Sequence, residues 1–123
     1  MQFSSVVLLH SDPRISESLV ASLCNSFHSV RAVRSVDELR RSIAKNRADV
    51  VIVDIETAPL SDVKRLSHEF PGICIVCTHR LADEEMWTAA LNAGAVDIYP
   101  SDDARGILTA ALRWPSQQHA ASA

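Results

Sequence analysis

Short, uninterrupted apolar runs alternate along this chain with stretches in which apolar residues return every three or four positions. The first run is Val6-Val7-Leu8-Leu9. The turn signal Ser11-Asp12-Pro13 follows it, and Ile15, Leu19, Leu23 and Phe27 then recur at helical spacing. Asp12 before Pro13 fits an N-cap followed by a proline at the first helical position. Val30 to Val33 alternates in the manner of a half-exposed edge strand. Ser35-Val36-Asp37-Glu38 is a capping box, and Leu39 and Ile43 continue that helix's apolar stripe. The run Val50-Val51-Ile52-Val53 ends at Asp54, and a third helix is predicted over Pro59 to His68, broken by Pro71-Gly72. Ile73 to Cys77 is the next strand, ending at Thr78. A helix from about Asp83 to Ala93 stops at Gly94, a short strand spans Val96 to Tyr99, and a final helix spans Asp103 to Arg113, before Pro115.

Strands alternating with helices predict a parallel sheet covered on both faces. The first, third and fourth runs are apolar throughout and belong in the centre; the second and fifth are weaker and belong at the edges. The fold class is therefore α/β, a flavodoxin-like (βα)5 three-layer sandwich with strand order 2-1-3-4-5. Residues 1–115 form one domain, and residues 116–123 read as a flexible tail or the start of a linker.

The 123 residues suffice for one such domain, and 47% apolar with 22% charged residues is a globular balance. The three glycines, Gly72, Gly94 and Gly106, form no phosphate-binding loop, which excludes P-loop and Rossmann fingerprints. The net charge of −3 argues against nucleic-acid binding by this domain. No apolar run approaches membrane-spanning length, no signal-type leader is visible, and a cytoplasmic location is expected. Cys24, Cys74 and Cys77 do not suggest a disulfide framework. Cys74 and Cys77 lie in a strand, pointing to opposite faces, so core packing is expected rather than redox or zinc chemistry. The five histidines show no metal-binding spacing.

In a sheet of this order, ligands bind outside the carboxyl ends of the strands. Those ends carry His10-Ser11-Asp12, Asp54, Thr78-His79-Arg80 and Pro100-Ser101-Asp102. His10 and His79, at two of those strand ends, are expected to border the Asp54 pocket. Arg80 is the nearest cation, with Glu56 as a competing partner.

From about Val6 to Arg113 the chain resembles the receiver domain of bacterial response regulators. The matching residues are the strand Ala48 to Asp54, the strand ending Cys77-Thr78, Asn92-Ala93-Gly94-Ala95-Val96-Asp97, and the register of Asp12-Pro13. The resemblance implies that Asp54 is the phospho-acceptor and Thr78 the switch hydroxyl. It implies a histidine kinase or other regulatory protein as partner, an output domain in a longer chain, and a binding role, not an enzymatic one. It also implies Mg²⁺ held beside Asp54. The family's acidic pair, however, falls on His10 and Ser11, its lysine falls on Ser101, and its switch aromatic falls on Ile98, with Tyr99 next. After Asp54, the family's proline position holds Ala58, with Pro59 next. Asp12 and Asp54 are thus the remaining Mg²⁺ candidates, and metal binding is expected to be weak or absent. Ser101 doubles as an expected N-cap of the last helix. Trp87, Tyr99 and Trp114 on the last units are candidates for a partner or homodimer surface.

The leading expectation is therefore an atypical receiver regulating through protein contacts, with phosphorylation weak or dispensable. Two alternatives stay open: a small-ligand-binding or enzymatic domain on the flavodoxin-like fold, and a purely structural dimerisation domain. Flavin binding finds no phosphate-cradling loop in Ser11-Asp12-Pro13-Arg14, and no GxSxG elbow occurs.

Overall fold

The computed structural model describes the backbone of residues 5–122 and the side chains of residues 5–113. The elements alternate as the apolar pattern predicts: β1 (Ser5–Leu9), α1 (Pro13–Leu23), β2 (Ser29–Val33), α2 (Val36–Asn46), β3 (Val50–Asp54), α3 (Leu60–Glu69), β4 (Cys74–Thr78), α4 (Glu84–Ala93), β5 (Asp97–Tyr99) and α5 (Ala104–Ser122). The sheet order is β2-β1-β3-β4-β5, and every pairing is parallel. Central β3 and β4 are buried along their whole length, whereas edge strand β2 exposes Arg31 and Ala32. Strands covered on both faces must be apolar on both, which is why these two read as unbroken runs.

Strand side chains alternate between two cores. Val7, Leu9, Val51, Val53, Ile75 and Cys77 meet Leu39 and Ile43 of α2, Val63 and Leu66 of α3, and Ala90 of α4. Val6, Leu8, Val50, Ile52, Cys74 and Val76 meet Leu19 and Leu23 of α1 and Ile107 and Ala111 of α5. Cys74 and Cys77 thus face opposite cores as the spacing predicts. Burial, joined at Cys77 by the charge of Asp54, pushes both thiols up to about 12, so neither is a nucleophile near neutral pH.

The helix ends follow local chemistry. Asp12 Oδ1 accepts the Arg14 N–H at 2.9 Å and Pro13 opens α1. Ser35 Oγ accepts the Glu38 N–H, while Glu38 reaches back to the Arg34 N–H. Asp83 caps α4 through the Met86 N–H. Gly94 ends α4 at φ 111°, where a Cβ would lie 2.5 Å from Ser67 Oγ of α3, so both the conformation and the close helix approach require glycine.

Two expectations are corrected. Ser101 does not cap α5: Asp103 does, its Oδ1 accepting the Gly106 N–H at 3.0 Å. An aspartate directly before the first helical residue reaches the N3 amide, which a serine two residues earlier does not. The helix also continues past Arg113 to Ser122, with Pro115 inside it. Proline deletes one backbone donor there, and the flanking turns still propagate. The reading of residues 116–123 as a tail or linker falls where side chains are not described, as does the side chain of Trp114. Among the described residues, no helix is long and apolar enough to cross a membrane.

Candidate functional site

Parallel pairing places Asp54 at the end of β3 opposite Thr78 at the end of β4, and Thr78 opposite Tyr99 of β5. Asp54 is 1% exposed and Thr78 fully buried. A carboxylate this deep needs partners. Its Oδ2 accepts the Thr57 hydroxyl at 2.7 Å. Its Oδ1 is 3.4 Å from both the Glu56 N–H and the Thr78 hydroxyl, two long bonds. The Asp54 carbonyl also accepts the Thr57 and Ala58 amides, and these bonds turn the chain tightly out of β3.

His10 joins the site from the end of β1. Its side chain is 5% exposed, and its Nε2 lies 3.8 Å from Asp54 Oδ2. Its Nδ1 accepts the Asp12 N–H at 3.0 Å. A ring nitrogen that accepts carries no proton, so this bond assigns a neutral imidazole with hydrogen on Nε2. At 3.8 Å that N–H is too far to bond Asp54, and Nε2 has no other partner among the described residues. His79 at the end of β4 makes the same turn, its Nδ1 accepting the Leu81 N–H at 2.9 Å.

Two loops close around the carboxylate. Glu56 Oε1 accepts Arg80 Nε–H at 2.8 Å, and Oε2 accepts the Arg80 backbone N–H at 3.2 Å. Burial alone would raise the Glu56 carboxyl, but these bonds and the Arg80 charge hold it below its ordinary value. The pairing competes with any contact between Arg80 and an anion on Asp54. Ser101, at the position where the resemblance implies a lysine, is 4% exposed, and its Oγ has no hydrogen-bond partner among the described residues. His10 is the one basic side chain within 4.0 Å of the Asp54 carboxylate among the described residues.

The structure therefore brings His10, Asp54 and Thr78 together. Ser11 is exposed, and Asp12 is occupied with the α1 cap. Thr57 is a site residue that the sequence reading missed; a hydroxyl three positions after a strand-end aspartate, within a tight turn, was the available signal. Of the surface candidates, Trp87 is 46% exposed and donates its Nε1–H to Asp97 Oδ1 at 3.2 Å. Tyr99 is half-buried and packs toward α5, where Gly106 leaves room for its ring. Ile98, at the expected switch-aromatic position, is buried beneath α4. Leu81, beside Arg80, is 71% exposed.

Magnesium prefers oxygen ligands and usually takes one or two carboxylates. The positions beside Asp54 offer an imidazole N–H and a hydroxyl hydrogen instead. No group of three metal-ligating side chains forms among the described residues. This donor set does not fit Mg²⁺.

No family model matches the chain, and no curated protein matches it in sequence. Solved structures do. A response regulator from Thermotoga maritima superposes with a TM-score of 0.84 at 18% identity, covering 93% of this chain and 98% of its own. The signal receiver domain of the response regulator NarL from Mycobacterium tuberculosis gives 0.78 at 17%, covering 92% and 96%. An atypical orphan response regulator, described as revealing a phosphorylation-independent regulatory mechanism, gives 0.78 at 17%, covering 89% and 93%. At such identities the likeness is one of fold, and the fold of this chain is the receiver fold of two-component response regulators.

Proposed function

We propose that this chain is a receiver domain of two-component signalling that works through protein–protein contacts without requiring phosphorylation of Asp54. One observation carries the reading: no cation stands free at the Asp54 carboxylate among the described residues. A phosphoryl group would add roughly −1.5 to −2 charges to a site already holding a carboxylate. Stabilising it takes a metal or a fixed basic side chain. Here His10 is neutral, Ser101 replaces the lysine, and Arg80 is engaged by Glu56. The phosphorylation-independent mechanism described for a protein of similar fold adds support.

The regulatory role places no chemical step on this chain. Its partners are a histidine kinase or another regulatory protein, an output domain of a longer chain, or a second copy. Exposed Leu81 and Trp87 provide apolar contact near the site loops. A cytoplasmic location accompanies this role.

The test is incubation with acetyl phosphate and Mg²⁺ followed by intact-mass measurement. The unmodified mass is expected. A stoichiometric adduct that Asp54→Ala abolishes would overturn the reading.

A further inference from the structure

The two oxygens of Asp54 are served unequally. Among the described residues, Oδ1 has only the two 3.4 Å contacts, to Glu56 and Thr78. Oδ2 accepts the Thr57 hydroxyl at 2.7 Å, with His10 Nε2 3.8 Å away. Both neighbours of Oδ2 bring hydrogen, not a lone pair: the hydroxyl donates, and the Nδ1 bond to Asp12 leaves the remaining imidazole hydrogen on Nε2. His10 Nε2 is buried and has no hydrogen-bond partner among the described residues.

We propose that Thr57 is the positioning residue of Asp54. Its hydroxyl, with the neutral His10 imidazole beside it, takes the place of a divalent cation at Oδ2 and holds the carboxylate in a metal-free resting state. The inference rests on the phosphorylation-independent reading above and names the residues that enforce it. The substitution is electrostatically coherent: two partial positive charges on hydrogens serve one oxygen of a buried carboxylate. For Thr57 to ligate a cation, its proton would have to leave Oδ2. For His10 to do so, the Nε2 hydrogen would have to move to Nδ1 and break the bond to the Asp12 N–H. The arrangement thus opposes metal entry as well as satisfying Asp54.

The test titrates Mn²⁺ alone, a paramagnetic stand-in for Mg²⁺, into isotopically labelled protein and follows the Glu56 and Thr78 amides. The wild type and Thr57→Ser, which keeps the hydroxyl, are expected to show no site-selective broadening. His10→Asp supplies an acid, and combining it with Thr57→Val is expected to tighten Mn²⁺ binding about tenfold or more over His10→Asp alone. If His10→Asp does not fold, judged by amide dispersion, His10→Ala replaces it in the same comparison. Equal affinity with and without the Thr57 hydroxyl overturns the role of Thr57, as does site-selective broadening in the wild type. If the wild type also refuses acetyl phosphate, the proposed function survives that loss; a phosphorylated wild type removes the function itself.

Discussion

The interior of the sheet and its carboxyl rim are buried equally deeply but satisfied differently. Val51, Ile52, Ile75 and Val76 are completely covered, and so is Thr78, with Asp54 opposite it 1% exposed. The interior residues have nothing to satisfy beyond the backbone ladder, and burial there is gain alone. The rim residues carry polar atoms. Asp54 finds Thr57, and Thr78 finds Asp54 at long range, while His10 Nε2 and Ser101 Oγ find no partner among the described residues. Unsatisfied polar atoms inside an otherwise well-packed fold mark a place shaped by something other than stability.

Ile52→Ala tests the interior directly. It should cost about 2–5 kcal/mol, read as a lower denaturation midpoint at unchanged slope. A loss below about 1 kcal/mol would show that the interior is less tightly packed than its burial implies. Asp54→Ala, one step along the rim, should cost less, about 1–3 kcal/mol, because the Thr57 and Thr78 hydroxyls lose their acceptor. Asp54→Asn, which keeps an acceptor oxygen, should cost less again. Ser101→Ala sharpens the contrast from the other side. Removing a buried hydroxyl without a partner should leave stability unchanged or raise it by up to about 1 kcal/mol. A clear loss would mean that Ser101 has a bond the geometry does not reveal.

The smallest effect concerns the Glu56–Arg80 clasp. Glu56 titrates below its ordinary value of 4.5, so whatever the clasp contributes is complete above that value and fades as pH falls through the depressed one. The Arg80 amide, which donates to Glu56 Oε2, should shift with that titration while the denaturation midpoint changes little. Glu56→Gln should abolish the titration of that resonance. Retention of the shift in this variant would assign it to another group.

The sequence made the interior legible and the rim only partly so. Periodicity located every strand and helix because each central strand must be apolar on both faces, and the strand order followed from which runs were purely apolar. Asp54, Thr78 and the pairing of Arg80 with Glu56 were also visible from strand ends alone. Thr57 was not, because a loop hydroxyl has no periodicity and turns toward the carboxylate only once the β3–α3 turn has closed. Ser101 was read as a cap because serine favours that position, but the helix starts later, where Asp103 serves it. Pro115 was read as a stop, although one missing donor does not end a helix. The exposure of Leu81 depends on where the β4–α4 loop lies, which composition does not encode.

The two silent thiols have a practical consequence. Cys74 and Cys77 are fully buried and protonated, whereas Cys24 is exposed at the end of α1. Because α1 runs back against the strand direction, that end lies across the sheet from Asp54. A maleimide fluorophore added to the native protein will therefore attach at one position. The chain supplies its own remote labelling handle, from which docking of the proposed partner can be followed without engineering a cysteine or touching the Asp54 site.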